Sequence, residues 1–397
     1  MNIVIAGTVE FNPQIGGTER VSVTLANQFK KLGYGVYFVA LTKCPYSKPY
    51  IPVAEQIILP NESDACCEDN IRCFTNIITE KKIDIILNQF GNMDDFSELC
   101  MIVREKTGIK LLSELHIDPA YEIKLYKAET SLLYTKCIIL RQLKNYSKKL
   151  FAFKKLHSIK KFWHSHYNRL YQKCDAVILL SEYYKPIYKK MAGLADISKL
   201  EAINNPLSFQ EVKEEIYQKE NQILWIGRFD SMHKRPERMV QIWSLLEDKH
   251  PDWSLLFLGD GPCKDAVESL VKHLNLKNVK FAGFTDPINE YKKSSILCST
   301  STMEGLPMIL LEAMQFGAIP MSFSSFESIY DVVDDEINGY IIPPYDLKLY
   351  ANRLESLMTD KNRRKLMSQN AKEYVSGRFN VEKITKIWLG LFDKINQ

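Results

Sequence analysis

The chain has 397 residues and a mass of 46.0 kDa, a length that suits two domains. At 46% hydrophobic and 25% charged it is neither collagen-like nor disordered, and it carries enough apolar material for sizeable cores. The net charge of +4 is a sum of unlike parts: no Asp or Glu occurs from 130 to 174, a segment holding eleven Lys or Arg, which leaves 41 basic against 48 acidic residues elsewhere. An excess of this kind, +11 in one segment and −7 outside it, points to an anionic surface as partner.

The first forty residues read as strand, glycine loop, helix, strand. Ile3 to Ala6 is a short apolar run suited to a buried parallel strand, and Gly16-Gly17 follows in a loop. Val21, Leu25, Phe29 and Leu32 recur at helical spacing, Gly33 is a fitting stop, and 36–41 is the next strand. Similar runs recur at 83–87, 109–115, 176–180, 223–226, 254–258, 296–298, 319–323 and 340–342, with helical stretches between most of them. This alternation predicts α/β architecture with parallel sheets. A break is expected at 205–221, where Asn205-Pro206 is a turn signal and a polar, charge-rich stretch follows. Two open sheets facing each other would leave a cleft, with ligands outside the carboxyl ends of the strands.

Four motifs sit at predicted strand exits. The richest runs from Ser299 to Met314: Gly305 permits close backbone approach, Pro307 fits a first helical turn, and the amides around Gly305 to Met308 make a phosphate cradle. Glu304 and Glu312 flank it, and a carboxylate suits sugar or ribose diols; a surface loop with two solvated glutamates is the alternative. Arg228 and Lys234 follow the strand at 223–226, a fork and a point charge suited to a diphosphate, or else two solvated loop cations. His116 follows the strand at 109–115 and is placed to hydrogen-bond a cleft ligand or move a proton, unless it is a structural loop histidine. Gly16-Gly17-Thr18-Glu19 lacks the dinucleotide fingerprint, and no ordinary P-loop occurs.

Nine cysteines without a C-x-x-C pair suit free thiols in a reducing cytoplasm. Met1 to Gly7 is too short and uncharged for a signal peptide. With no run of about 18 apolar residues, the expected location is cytoplasmic, with any membrane contact peripheral.

Taken together, these residues resemble glycosyltransferase family 4, retaining enzymes of the GT-B fold. The resemblance takes in Gly16-Gly17, His116, the exit at Ser181-Glu182-Tyr183, Asn205-Pro206, Arg228, Lys234, Gly259-Asp260-Gly261, Gly283-Phe284, the Glu304–Glu312 block and Asn338-Gly339-Tyr340. It implies two Rossmann-like domains across a cleft: 1–205 on the acceptor side, with the helix at 381–397 packing back on it, and 206–380 binding the donor. Arg228 and Lys234 would hold the donor diphosphate, Glu304 the sugar hydroxyls and Glu312 the ribose. The amides of Leu306, Pro307 and Met308 would meet phosphate, in the cradle read from the motif. Gly16 and Gly17 would admit the diphosphate, Phe284 would meet the base, and His116 would lie by the donor sugar. The implied donor is a nucleotide-diphosphate sugar, UDP by family frequency, with no metal cofactor. One departure is Arg235 directly after Lys234, where the family usually has Gly.

The basic segment adds a partner. Leu143, Tyr146, Leu150, Phe153, Leu156, Ile159, Trp163, Tyr167 and Leu170 form a helical stripe with lysines between them. The charge predicts that residues 141–173 dock on an anionic membrane bearing a lipid-linked glycan acceptor, as in surface polysaccharide assembly; a helix pair on its own domain is the bland alternative. No nucleic-acid signature accompanies the charge. Rival functions are a nucleotide-sugar epimerase of the same fold and a nucleotide-sugar binding protein without turnover.

Overall fold

In the computed structural model, residues 1–44, 50–134, 142–209 and 218–396 are described, the side chains at 94, 128–134 and 142–152 excepted. The chain forms two units, Met1–Ser208 with Val381–Gln397, and Phe209–Asn380. Most of the polar stretch expected as a linker, 210–217, lies outside the described residues.

The N-terminal unit runs β1 (Asn2–Val9), α1 (Gly17–Lys31), β2 (Gly35–Thr42), β3 (Glu55–Ile58), α2 (Glu68–Glu80), β4 (Ile85–Asn88), α3 (Asp94–Thr107), β5 (Lys110–Leu115), α4 (Tyr121–Tyr134), α5 (Gln142–Lys173), β6 (Ala176–Leu179), α6 (Lys185–Ala192) and β7 (Leu200–Ala202). The second unit runs β8 (Glu220–Ile226), α7 (Pro236–Trp243), β9 (Ser254–Leu258), α8 (Lys264–His273), β10 (Val279–Phe281), α9 (Ile288–Lys293), β11 (Ser294–Ser299), α10 (Met308–Gln315), β12 (Ile319–Phe323), α11 (Ile329–Val332), β13 (Tyr340–Ile342), α12 (Leu347–Thr359) and α13 (Lys361–Arg378). A last helix, α14 (Val381–Asn396), packs on α1, with the Phe392 and Phe29 rings 5.5 Å apart.

Each unit has one parallel sheet, ordered β3-β2-β1-β4-β5-β6-β7 and β10-β9-β8-β11-β12-β13. Strand β1 sits between β2 and β4, so Ile3, Val4, Ile5 and Ala6 are fully buried, as a run without polar alternation requires. One face of α1 buries Val21, Leu25 and Phe29. The helix ends where Gly33, at φ +86°, lets the Tyr34 amide turn back to the Phe29 carbonyl at 3.1 Å. Three strands carry no apolar run and go unpredicted: β3, β7 and β10. All three lie at sheet edges and are short and half-exposed, so only one side of each is asked to be apolar.

The basic stripe folds as a single helix, α5, whose 32 residues span about 48 Å at 1.5 Å per residue. Its far end corrects the expectation that 141–173 is a membrane face. Tyr167, Leu170 and Tyr171 are core, Arg169 pairs with Glu98 at 3.0 Å, and Lys173 pairs with Glu105. Core packing claims this stretch because the helix must lead into β6, which begins at Ala176. Upstream the helix surfaces: Phe153, Lys154, Lys155, Lys160, Lys161 and Phe162 are all exposed. Lys136 and Arg141 fall outside the described residues, as do the side chains of Lys144, Lys148 and Lys149.

Candidate active site

In both sheets the strand order reverses once. In the second unit this happens between β8 and β11, whose onward connections leave to opposite sides and open a crevice at their carboxyl ends. The loops that follow these two strands carry Arg228 to Lys234 and Thr300 to Gly305.

Polar side chains tie the two loops together. Trp225 Nε1 donates to Thr300 Oγ1 at 3.0 Å, and Thr300 Oγ1 lies 2.9 Å from the carbonyls of both Lys234 and Arg235. Thr302 Oγ1 donates to the Met232 carbonyl at 2.6 Å, and its amide donates to that of His233 at 2.7 Å. Asp230 Oδ1 accepts from the Met232 and His233 amides at 2.7 and 2.9 Å. Burial pushes that carboxyl up, but the two amides and the His233 and Arg228 charges outweigh it and hold it below the usual carboxylate range. The neighbouring exit, after β9, crosses close by: Gly259 sits at φ +128°, and a Cβ there would lie 1.9 Å from the Gly227 carbonyl oxygen. Only glycine fits this crossing.

The clamp brings Lys234 Nζ to 2.5 Å from Glu304 Oε1, with the two side chains 24% and 13% exposed. Arg228 is exposed in the same loop. Glu312, on α10, is 2% exposed and accepts from the Tyr291 hydroxyl at 2.9 Å. Tyr291 gives no sequence signal, since it lies 21 residues upstream on a different helix. Arg235 adopts φ +52°, which explains why glycine suits the position after the lysine, and its guanidinium is held by Glu237.

The cradle differs from expectation at its edge. Pro307 is the N-cap of α10 instead of part of its first turn, and the Met308 amide is taken by the Leu306 carbonyl at 2.8 Å. A proline has no N–H to give, so of the four amides expected at 305–308, those of Gly305 and Leu306 remain without an acceptor among the described residues. Phe284 is 85% exposed beside Gly283.

The N-terminal unit reverses between β1 and β4. Gly16 caps α1 and Gly17 opens it; a Cβ on Gly16 would lie 2.7 Å from Glu19 Oε2, whereas one on Gly17 would meet nothing within 4 Å. Burial raises the Glu19 carboxyl above its ordinary range. His116 follows β5 with its side chain 8% exposed, and Nε2 lies 3.0 Å from Gln89 Oε1 and 3.6 Å from Glu114 Oε2. Burial holds the ring neutral, with its pKa pushed down to about 3, and pushes Glu114 up to about 8 against a hydrogen bond from Gln89. Gln89 and Glu114 went unsingled in the sequence because their neighbourhood reads as ordinary strand and turn.

Residues 208–374 match the family model described as glycosyl transferases group 1. Over 394 residues the chain is 26% identical to an uncharacterized glycosyltransferase of Haemophilus influenzae, covering 95% of this chain and 96% of that one. It is 29% identical over 229 residues (57% of this chain, 62% of the relative) to a Campylobacter jejuni alpha-1,4-N-acetyl-D-galactosaminyltransferase whose name carries a PP-undecaprenol-linked saccharide. The matches support a glycosyltransferase. Its fold is GT-B, two Rossmann-like domains. The crystal structure of Anabaena HepE in complex with UDP and glucose superposes with a TM-score of 0.73 at 16% identity, covering 99% of this chain and 100% of that one. The family match lies on the unit that carries the Lys234–Glu304 crevice.

Proposed function

We propose that this glycosyltransferase moves a hexose or N-acetylhexosamine, with retention of anomeric configuration, from UDP-sugar to a lipid-linked glycan in surface polysaccharide assembly. The observation that carries the reading is the crevice where β8 and β11 part: an ammonium paired with a carboxylate, an exposed guanidinium in the ammonium's loop, and the free amides of Gly305 and Leu306 directly after the carboxylate in sequence. An ammonium has three protons, so Lys234 can keep Glu304 and still donate to a phosphate oxygen. Arg228 and Lys234 neutralise the leaving diphosphate, a role that needs no metal cofactor in this reading, and stabilising that developing charge is the main catalytic term. Glu304 binds hydroxyls of the donor sugar, Glu312 the ribose, and the exposed Phe284 segment the base. His116 meets the donor sugar. UDP as nucleotide is favoured by the HepE complex, and the lipid-linked acceptor by the name of the Campylobacter relative.

The test is a screen of UDP- and GDP-sugars against membrane extracts, with the product's anomeric configuration read by NMR. A retained product from a UDP-sugar is expected. Donor binding without transfer or hydrolysis would favour a binding protein, and interconversion of free nucleotide sugars would favour an epimerase.

The exposed stretch of α5 supports a membrane-borne acceptor. Among the described residues no helix is long and apolar enough to cross a membrane. Lys154, Lys155, Lys160 and Lys161 with Phe153 and Phe162 suit peripheral docking at the cytoplasmic face, and at roughly 1 kcal/mol per cation the four lysines supply on the order of 4 kcal/mol. In co-sedimentation the protein is expected on anionic vesicles and to leave them as salt rises. Equal binding to neutral vesicles would rule out the electrostatic contact.

A further inference from the structure

A buried polar chain crosses the N-terminal unit from α1 to the ends of β4 and β5. Ser22 Oγ, fully buried, lies 2.8 Å from both the Thr18 carbonyl and Gln89 Oε1. Gln89, also fully buried, donates from Nε2 to Glu114 Oε2 at 2.9 Å. The other end of the amide meets the histidine: Gln89 Oε1 faces His116 Nε2 at 3.0 Å. An amide oxygen only accepts, so the proton at this contact belongs to Nε2. A neutral ring has one N–H, which leaves Nδ1 with a lone pair, and Nδ1 is buried without a partner among the described residues. Such an orphan is costly unless a bound group meets it.

We infer that Gln89 is a positioning residue: it fixes His116 as the Nε2–H tautomer, so that Nδ1 accepts a hydrogen bond from a hydroxyl or amide N–H of the substrate and cannot serve as a phosphate ligand. A phosphate oxygen is itself an acceptor and finds no complement at Nδ1, whereas a sugar offers hydroxyls. The identity of that substrate rests on the transferase reading; the tautomer does not.

The experiment is nitrogen-15 NMR of the histidine rings in the full-length, ligand-free protein, with His116 assigned by the signals lost in His116→Phe. The Nε2–H pattern is expected at neutral pH. In Gln89→Met, which keeps bulk but removes both amide ends, the pattern should become a mixture of tautomers. With it kcat should fall about tenfold while the KM for the nucleotide sugar stays within about twofold. A wild-type Nδ1–H pattern overturns the inference whatever the activity, and this reading needs no variant that folds. So does a Gln89→Met protein that keeps both a single Nε2–H tautomer and full kcat. If the wild type shows Nε2–H yet turns over no donor, the transferase reading fails and the tautomer stands.

Discussion

Replacing Lys234 by methionine is expected to lower transfer by about 10² to 10³, the range found when one preorganised donor to a developing charge is removed, or about 2.7–4 kcal/mol. The physical reason is its position. Thr300 and Thr302 fasten the loop after β8 to the loop after β11, so the ammonium is held at the crevice. The folded state should suffer much less. The Lys234–Glu304 pair is 24% and 13% exposed, between the surface case, worth under about 1 kcal/mol, and the buried one, worth about 3–5. A loss of roughly 1–2 kcal/mol in stability is therefore expected alongside the much larger loss of rate. Steady-state kinetics at saturating donor, with a thermal melt on the same sample, separates the two. A folded Lys234→Met protein with wild-type kcat would remove Lys234 from the reaction. Glu304→Gln serves as control: it keeps a hydrogen-bond acceptor for Lys234 and should retain more activity than Glu304→Ala.

The second large effect is on stability and follows pH. Glu114 is 1% exposed, and burial raises its pKa from 4.5 to about 8. The native state therefore keeps a proton that the unfolded chain has released, and stability falls as pH rises from 4.5 to about 8. His116 acts in the opposite sense. Its pKa falls from 6.5 to about 3, so the unfolded chain binds the extra proton and stability is lost as pH drops through that window. Between 4.5 and 6.5 the two slopes cancel, and above 6.5 that of Glu114 stands alone. At about 1.4 kcal/mol per pH unit, removing the Glu114 slope is worth on the order of 5 kcal/mol across its whole window. Urea titrations of wild type and Glu114→Gln at pH 5 and pH 8.5 check this. The wild type should lose stability relative to the variant by a few kcal/mol between the two conditions, and parallel behaviour would show that Glu114 is ionised in the fold.

The inner strands were legible because burial on both faces leaves a mark that survives in one dimension: Ile3 to Ala6 and Leu255 to Leu258 are unbroken apolar runs, and both lie in strands. The edge strands β3, β7 and β10 leave no such mark, being half-exposed. The stripe on α5 illustrates a different limit. Helical spacing identified the helix, yet apolar periodicity does not say how far along a helix its partner extends. Here packing begins near Trp163 and core burial follows at Tyr167 and Leu170, whereas Phe153 is 69% exposed.

By itself the sequence determined the α/β class, the helix of the basic segment and the residues at strand exits, including Arg228, Lys234, Glu304 and His116. Each of these follows from local patterning: burial, period and turn chemistry act within a few residues. Only the tertiary structure decided the strand order, and with it the two reversal points where the loops after β8 and β11 and after β1 and β4 come together. It also decided the pairs that matter most at each. Lys234 meets Glu304 from 70 residues away, and Glu114 meets Gln89 from 25. Such contacts are fixed by which strands pair, a long-range choice that leaves no trace in the spacing of the residues it joins.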